Sequence, residues 1–145
     1  MKIAVSASAD NMDAMVDPRF GRCAYFIVVD ADKSGIKSHE VVENTGVQAA
    51  RGAGITAAQI VANKGVEAVI TGNIGPNAFG VLSQTGIKIY TGIGGISVKD
   101  AVEKYLAGEL EETKAPTGPG LGPGAGTGRG SGMGAGRGMG PGRNF

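Results

Sequence analysis

Apolar and polar positions alternate in short blocks along most of the chain. Lys2–Ala7 is an apolar run that predicts a buried first strand. Ser8–Arg22 is a polar stretch containing Asp10, Asn11, Asp13, Asp17 and Pro18. It is longer than an ordinary connection, which marks it as functional or as ordered by another part of the molecule. Cys23–Ala31 is strongly apolar and predicts a second strand. Asp32-Lys33-Ser34-Gly35 reads as a turn, and Ile36–Glu43 alternates weakly, as an edge strand hairpinned to its predecessor would. Asn44–Gly54 is a glycine-punctuated loop. The period then becomes helical through Ile55, Ala58, Gln59, Val61 and Ala62, with a stop at Lys64-Gly65. Glu67–Thr71 is a short buried strand broken by Gly72-Asn73-Ile74-Gly75. Pro76 sits where a helix begins, a place that tolerates a missing N–H, and the helix runs to Gln84 with Ala78, Phe79, Val81 and Leu82 at helical spacing. Ile87–Thr91 predicts the last strand, followed by Gly92-Ile93-Gly94-Gly95. Ser97 caps a final helix, Val98–Ala107, whose Val98, Ala101, Val102, Tyr105 and Leu106 share one face, and Gly108 ends it.

The order βββαβαβα predicts an α/β domain: a five-stranded mixed sheet in the order 3-2-1-4-5, strand 2 antiparallel, with helices on both faces. A hairpin opens the sheet and right-handed crossovers add the later strands. The switch in strand order falls between strands one and four, so Ser8–Arg22 and Gly72–Asn77 should emerge at one sheet edge, where such folds bind ligands.

The candidate chemistry lies at that edge. The first N–H groups of a helix have no internal partner, and its dipole favours an anion. Gly72, Asn73, Gly75 and Asn77 are therefore candidate binding positions; the plainer reading is a tight strand-to-helix turn. Phe20-Gly21-Arg22 closes the long loop with Arg19 before it, and two guanidiniums beside Gly21 suit an anionic ligand, the alternative being solvated arginines. Cys23 is either a soft metal ligand or a small buried residue at a strand start. His39, the one histidine, is either a ligand or a surface residue on a half-exposed strand. Arg51-Gly52-Ala53-Gly54 also precedes a helix, but it lacks the Lys-Ser/Thr ending of a phosphate loop. Neither a nucleophile–base pair nor a paired-carboxylate signature is visible, and the first strand has no carboxylate of the kind a metal-dependent nuclease requires. The expectation is a non-catalytic protein.

Composition divides the chain in two. From Gly118 to Gly142 every even-numbered residue is glycine, 13 of the 27 in the sequence. The period of two excludes collagen, and Thr113–Phe145 holds too little apolar surface to offset ordering entropy. A folded domain over residues 1–112 and a disordered tail over 113–145 are expected. Met133 and Met139 in that tail offer soft sulfurs beside Arg137, against the simpler reading of a solubilising linker. Lys114, Arg129, Arg137 and Arg143 contribute +4 to a net charge of +1, which leaves the body at −3. That body is unsuited to nucleic acid. One cysteine excludes a disulfide framework within the chain. The absence of a long apolar run or signal pattern leads to the expectation of a cytoplasmic protein with no membrane partner.

Several of these residues occur together in one order: Phe20-Gly21-Arg22 before an aromatic strand, Gly52-Ala53-Gly54 before a helix, Gly65-Val66 before a strand, Gly72-Asn73-Ile74-Gly75-Pro76-Asn77-Ala78, and Gly86-Ile87-Lys88-Ile89-Tyr90. The set resembles the dinitrogenase iron–molybdenum cofactor biosynthesis family over roughly Met1–Leu110. The resemblance implies a ribonuclease H-like three-layer α/β/α fold. It also implies handling of a metal–sulfur cluster, iron–molybdenum or iron–sulfur, passed between donor and acceptor proteins. Many members carry histidine just before Phe-Gly-Arg, where this chain has Arg19, and a small residue where it has Cys23. The reading that follows is a small carrier in which Arg19 and Arg22 neutralise charge, the Gly72–Asn77 backbone caps the anion, and Cys23 adds one soft bond. The alternative is a module for a small phosphorylated or nucleotide ligand at the same edge.

Overall fold

The computed structural model describes residues 1–45 and 52–117. Its elements run β1 (Lys2–Ala7), β2 (Tyr25–Asp32), β3 (Gly35–Glu43), α1 (Ala53–Asn63), β4 (Ala68–Ile70), α2 (Pro76–Gln84), β5 (Lys88–Tyr90) and α3 (Val98–Leu106). The five strands form one sheet in the order β3-β2-β1-β4-β5. β2 is antiparallel to both neighbours, and β1, β4 and β5 are mutually parallel. This is the mixed α/β sheet that the order of apolar blocks predicts.

Both faces of the sheet are covered, and successive residues point to opposite sides. Ala4, Phe26, Val28, Val69 and Ile89 lie in one apolar cluster with the inner sides of α1 and α2. Ile3, Val5, Ala7, Ile27, Val29, Ala68 and Ile70 lie in the other, against Val98, Ala101 and Val102 of α3. Hence β1 and β4 read as continuous apolar runs, as strands buried on both sides do. β3 is an edge strand with most of its side chains exposed.

Two local expectations shift. β2 starts at Tyr25 rather than Cys23, because residues 20–24 still turn out of the long loop. α1 starts at Ala53, and its buried stripe is Ala53, Ala57, Ala58 and Val61. Ile55, expected on the inner face, is 36% exposed. Small side chains face inward here because α1 and α2 pack closely: a Cβ placed on Gly54 would already stand 3.4 Å from Ala78 Cβ in α2. Of the Asn44–Gly54 loop, residues 46–51, including Arg51, lie outside the described residues.

Two residues beyond Glu112, Thr113 and Thr117, hydrogen-bond to the body of the molecule. Thr113 N donates to Ile89 O at 2.7 Å, and Thr91 N donates to Thr113 Oγ1 at 3.0 Å. Thr117 N then donates to Ile74 O at 2.9 Å. Residues 113–117 thus run beside β5 and cross to the turn between β4 and α2. The glycine-alternating segment, with Met133, Arg137 and Met139, lies outside the described residues.

Candidate functional site

The long loop after β1 owes its order to the two connections beside it. On the α3 side, Val16 N donates to Ile96 O at 3.0 Å, Val98 N to Ala14 O at 2.8 Å and Lys99 N to Met12 O at 3.0 Å. On the α2 side, Asn73 N donates to Pro18 O at 2.8 Å and Phe20 N to Asn73 O at 3.2 Å, the short parallel bridge Arg19–Asn73. Beneath this, the buried Ser6 hydroxyl donates to Asp17 O at 2.7 Å and pairs with Thr71 Oγ1 at 2.8 Å. The expected meeting of the two loops at one sheet edge is present.

Two glycines permit that meeting. A Cβ on Gly72 would stand 2.6 Å from Pro18 Cα, closer than real side-chain carbons come, so the loop backbone occupies the space a side chain would need. A Cβ on Gly21 would stand 3.1 Å from Gly54 N and Cα, in the first turn of α1. Gly21 therefore lies against the start of α1, while Pro18–Phe20 lies against the turn that starts α2. Both helices begin at glycine N-caps, Gly52 and Gly75, with no side-chain cap and no acidic residue in the first turn.

The donors in the α2 turn are not all open. Asn73 N is bound to Pro18, and Ile74 N donates to Thr117 Oγ1 at 3.1 Å. Gly72 is buried and its carbonyl accepts from Gly92 N at 2.8 Å. The helical ladder begins with Phe79 N donating to Gly75 O at 3.0 Å. Pro76 has no N–H, so Asn77 and Ala78 carry the N–H groups that precede the ladder. The Asn73 and Asn77 side chains are exposed and Gly75 is half-buried. The Gly72–Asn77 stretch therefore presents its open backbone donors at its helical end, with Asn73 and Ile74 engaged within the protein.

Charge at the edge is partly compensated. Arg19 Nε lies 3.3 Å from Asp17 Oδ1, and Arg19 N donates to the same oxygen at 2.9 Å. Asp17 is buried while the Arg19 side chain is 66% exposed. The carboxylate thus holds the bend of the loop and offsets the Arg19 cation. Arg22 is exposed within the turn that leads into β2.

Cys23 is fully buried in the apolar cluster that also holds Phe20 and Phe26, with its thiol donating to Phe20 O at 3.3 Å. Burial, reinforced by the Asp17 charge, pushes the thiol up to about 12, so at neutral pH it is a neutral thiol. Buried Asn44 donates to Cys23 O at 2.9 Å and to Gly21 O at 3.2 Å, tying the Gly21–Cys23 backbone to the end of β3. His39 lies elsewhere. It is exposed on β3 and in register with Val29, which pairs with Ile3 at the far end of β1. The structure brings together Arg19, Gly21, Arg22, Gly72, Asn73, Gly75 and Asn77, encloses Cys23 beneath them, and separates His39. Among the described residues, no group of three or more His, Cys, Asp or Glu is placed to hold a metal ion. Sequence reading missed the partners of these residues. Asp17 was legible in principle from the Asp-x-Arg spacing of a carboxylate-stabilised turn. Thr117 stands in a glycine-proline context that carries no pairing signal.

Residues 1–108 match the family described as dinitrogenase iron-molybdenum cofactor, and the chain belongs to that family. It is 38% identical over 112 residues to an uncharacterized protein of Methanocaldococcus jannaschii, covering 77% of this chain and 91% of that one. The apo form of the orange protein from Desulfovibrio gigas superposes with a TM-score of 0.76 at 40% identity, covering 81% of this chain and 96% of that one. A Thermotoga protein named as NifB-like gives a TM-score of 0.68 at 36% identity, covering 80% and 96%. No helix among the described residues is long and apolar enough to cross a membrane.

Proposed function

We propose that this member of the dinitrogenase iron-molybdenum cofactor family is a small non-catalytic carrier. Its cargo is an anionic metal–sulfur cluster of the iron–molybdenum or iron–sulfur class, received from a donor protein and passed to an acceptor in the cytoplasm. The cargo is held where α1 and α2 begin. The observation that carries this reading is the convergence of the Gly21–Arg22 backbone with two helix starts that lack both a side-chain cap and an acidic residue. An anion there meets helix dipoles, each contributing about 0.3–1 kcal/mol. It also meets open N–H groups at Asn77 and Ala78, and the guanidinium of Arg22. Charge-assisted hydrogen bonds of this kind contribute about 1.5–3 kcal/mol each.

On this reading Cys23 shapes the loop rather than ligating, since its thiol is enclosed and protonated. Asp17 limits the contribution of Arg19, so the backbone donors carry more of the attraction. Family membership favours a metal cluster over the phosphorylated or nucleotide alternative. The ribonuclease H-like label belongs to the same proposal, supported by the sheet order and by helices on both faces.

Purification without oxygen tests the reading. The expected result is a coloured protein containing iron or molybdenum together with sulfide, whose amide resonances at Gly75–Ala78 move when the cluster is removed by chelation. A loaded protein whose shifts cluster instead around His39 would place the cargo elsewhere.

A further inference from the structure

The segment after α3 ends on the site described above. Thr113 is its anchor: its N–H donates to Ile89 O, its hydroxyl accepts from Thr91 N, and the Thr91 and Thr113 hydroxyls are 2.7 Å apart. Residues 114–117 are exposed. Thr117 then makes a reciprocal pair with Ile74. Its N–H donates to Ile74 O at 2.9 Å, and its hydroxyl accepts from Ile74 N at 3.1 Å. Ile74 is itself buried and directly precedes the N-cap of α2. A side-chain oxygen from the C-terminal segment therefore occupies the backbone donor next to the open first turn of α2.

We propose that residues 113–117 form a displaceable strap, with Thr117 as an internal stand-in for the cargo at Ile74 N. A hydroxyl is a neutral acceptor, and a sulfide or oxo group bearing negative charge is a stronger one for the same N–H. Arrival of the anion releases Thr117 from Ile74 while Thr113 keeps the strap tethered along β5. Departure of the anion lets Thr117 return, so Ile74 N is paired in both states, while Thr117 N and Ile74 O exchange their mutual bond for water when the anion is seated. The strap thereby lowers affinity for the cargo and eases its transfer: a protein whose binding-competent state is fractionally populated shows an affinity reduced by that fraction. The proposal rests on the carrier reading and adds a regulatory element to the same site.

The test uses the full chain and tetrathiomolybdate, a coloured dianion of molybdenum and sulfide, titrated anaerobically by absorbance and by amide resonances. In the wild type the anion should move the amides of Ile74 and Gly75–Phe79, and that of Thr117 with them. Thr117→Val keeps the shape and the backbone N–H but removes the acceptor, and should bind at least about threefold tighter, the effect of one lost competing hydrogen bond. Thr113→Val loosens the anchor and should act in the same direction. Equal or weaker binding in both variants, with the wild-type anion still at Gly75–Phe79, overturns the strap and leaves the carrier reading intact. If no amide between Gly72 and Phe79 moves in any of the three proteins, the carrier reading falls and the strap with it.

Discussion

The starts of α2 and α3 occupy equivalent places and are treated in opposite ways. Each helix follows a short parallel strand, β4 or β5, and each begins at the same sheet edge. At α3 the first N–H groups are all engaged: Val98 N with Ala14 O, Lys99 N with Met12 O, and Asp100 N with Ser97 Oγ at 3.1 Å. Asp100 adds a negative charge to the first turn, and Lys104 a positive one to the last. At α2 the cap is Gly75, Pro76 offers no N–H, and the first turn has no acid. Topology brings both helix starts to the edge, but local chemistry closes one and leaves the other without a side-chain cap. A helix terminus by itself thus says little about ligands; what matters is whether the protein has already satisfied it.

The contrast can be broken most severely at Gly72. Gly72→Ala forces a methyl against Pro18 Cα, with no flexible side chain to yield. The expected cost is about 1–3 kcal/mol of stability in denaturant unfolding. The Arg19–Asn73 bridge should be lost too, visible as faster amide exchange at Phe20 and Asn73. Unchanged stability would mean that the loop does not pack on the turn as described.

Ser97→Ala acts on the closed helix alone. Loss of its cap should cost about 1 kcal/mol of stability and leave cluster binding unaltered. A parallel loss of binding would show that the two helix starts are not independent.

Asn77→Asp makes α2 resemble α3. The change is nearly isosteric at an exposed position and places a carboxylate in the first turn. Stability should rise by about 0.3–1 kcal/mol through the dipole. Affinity for an anionic cluster should fall roughly two- to fivefold, the same energy with the opposite sign. Movement of both quantities in one direction would contradict the assignment of this turn as the anion's seat.

How far the molecule is legible from its residues differs between these same regions. α2 was readable to its ends, because Pro76 and the glycines before it mark a strand-to-helix turn. The capped start of α3 was readable from Ser97, and the sheet order from the two-sided apolar strands. The inner face of α1 was not, because periodicity favours Ile55 while the actual constraint is the close packing of Gly21 on Gly54 and of Gly54 on Ala78. Pairing between distant segments left no local trace: Arg19 with Asp17 is partly foreseeable from spacing, whereas Thr117 with Ile74 is not. Cys23 and His39 drew notice by residue type alone. Their roles depend on burial and register, which place one under the edge and the other at the far end of the sheet.

The central claim is that charge and backbone donors at the α1–α2 edge hold the cargo, with Cys23 in a supporting structural role. Anaerobic titration of Arg22→Glu and Cys23→Ser with a molybdenum–iron–sulfur cluster, followed by absorbance, tests it directly. Replacing attraction by repulsion at Arg22 should weaken binding at least about tenfold, or about 1.4 kcal/mol. Cys23→Ser, which keeps a donor to Phe20 O, should weaken it less. Full loading of Arg22→Glu alongside abolished loading of Cys23→Ser would contradict the claim and establish thiolate ligation instead.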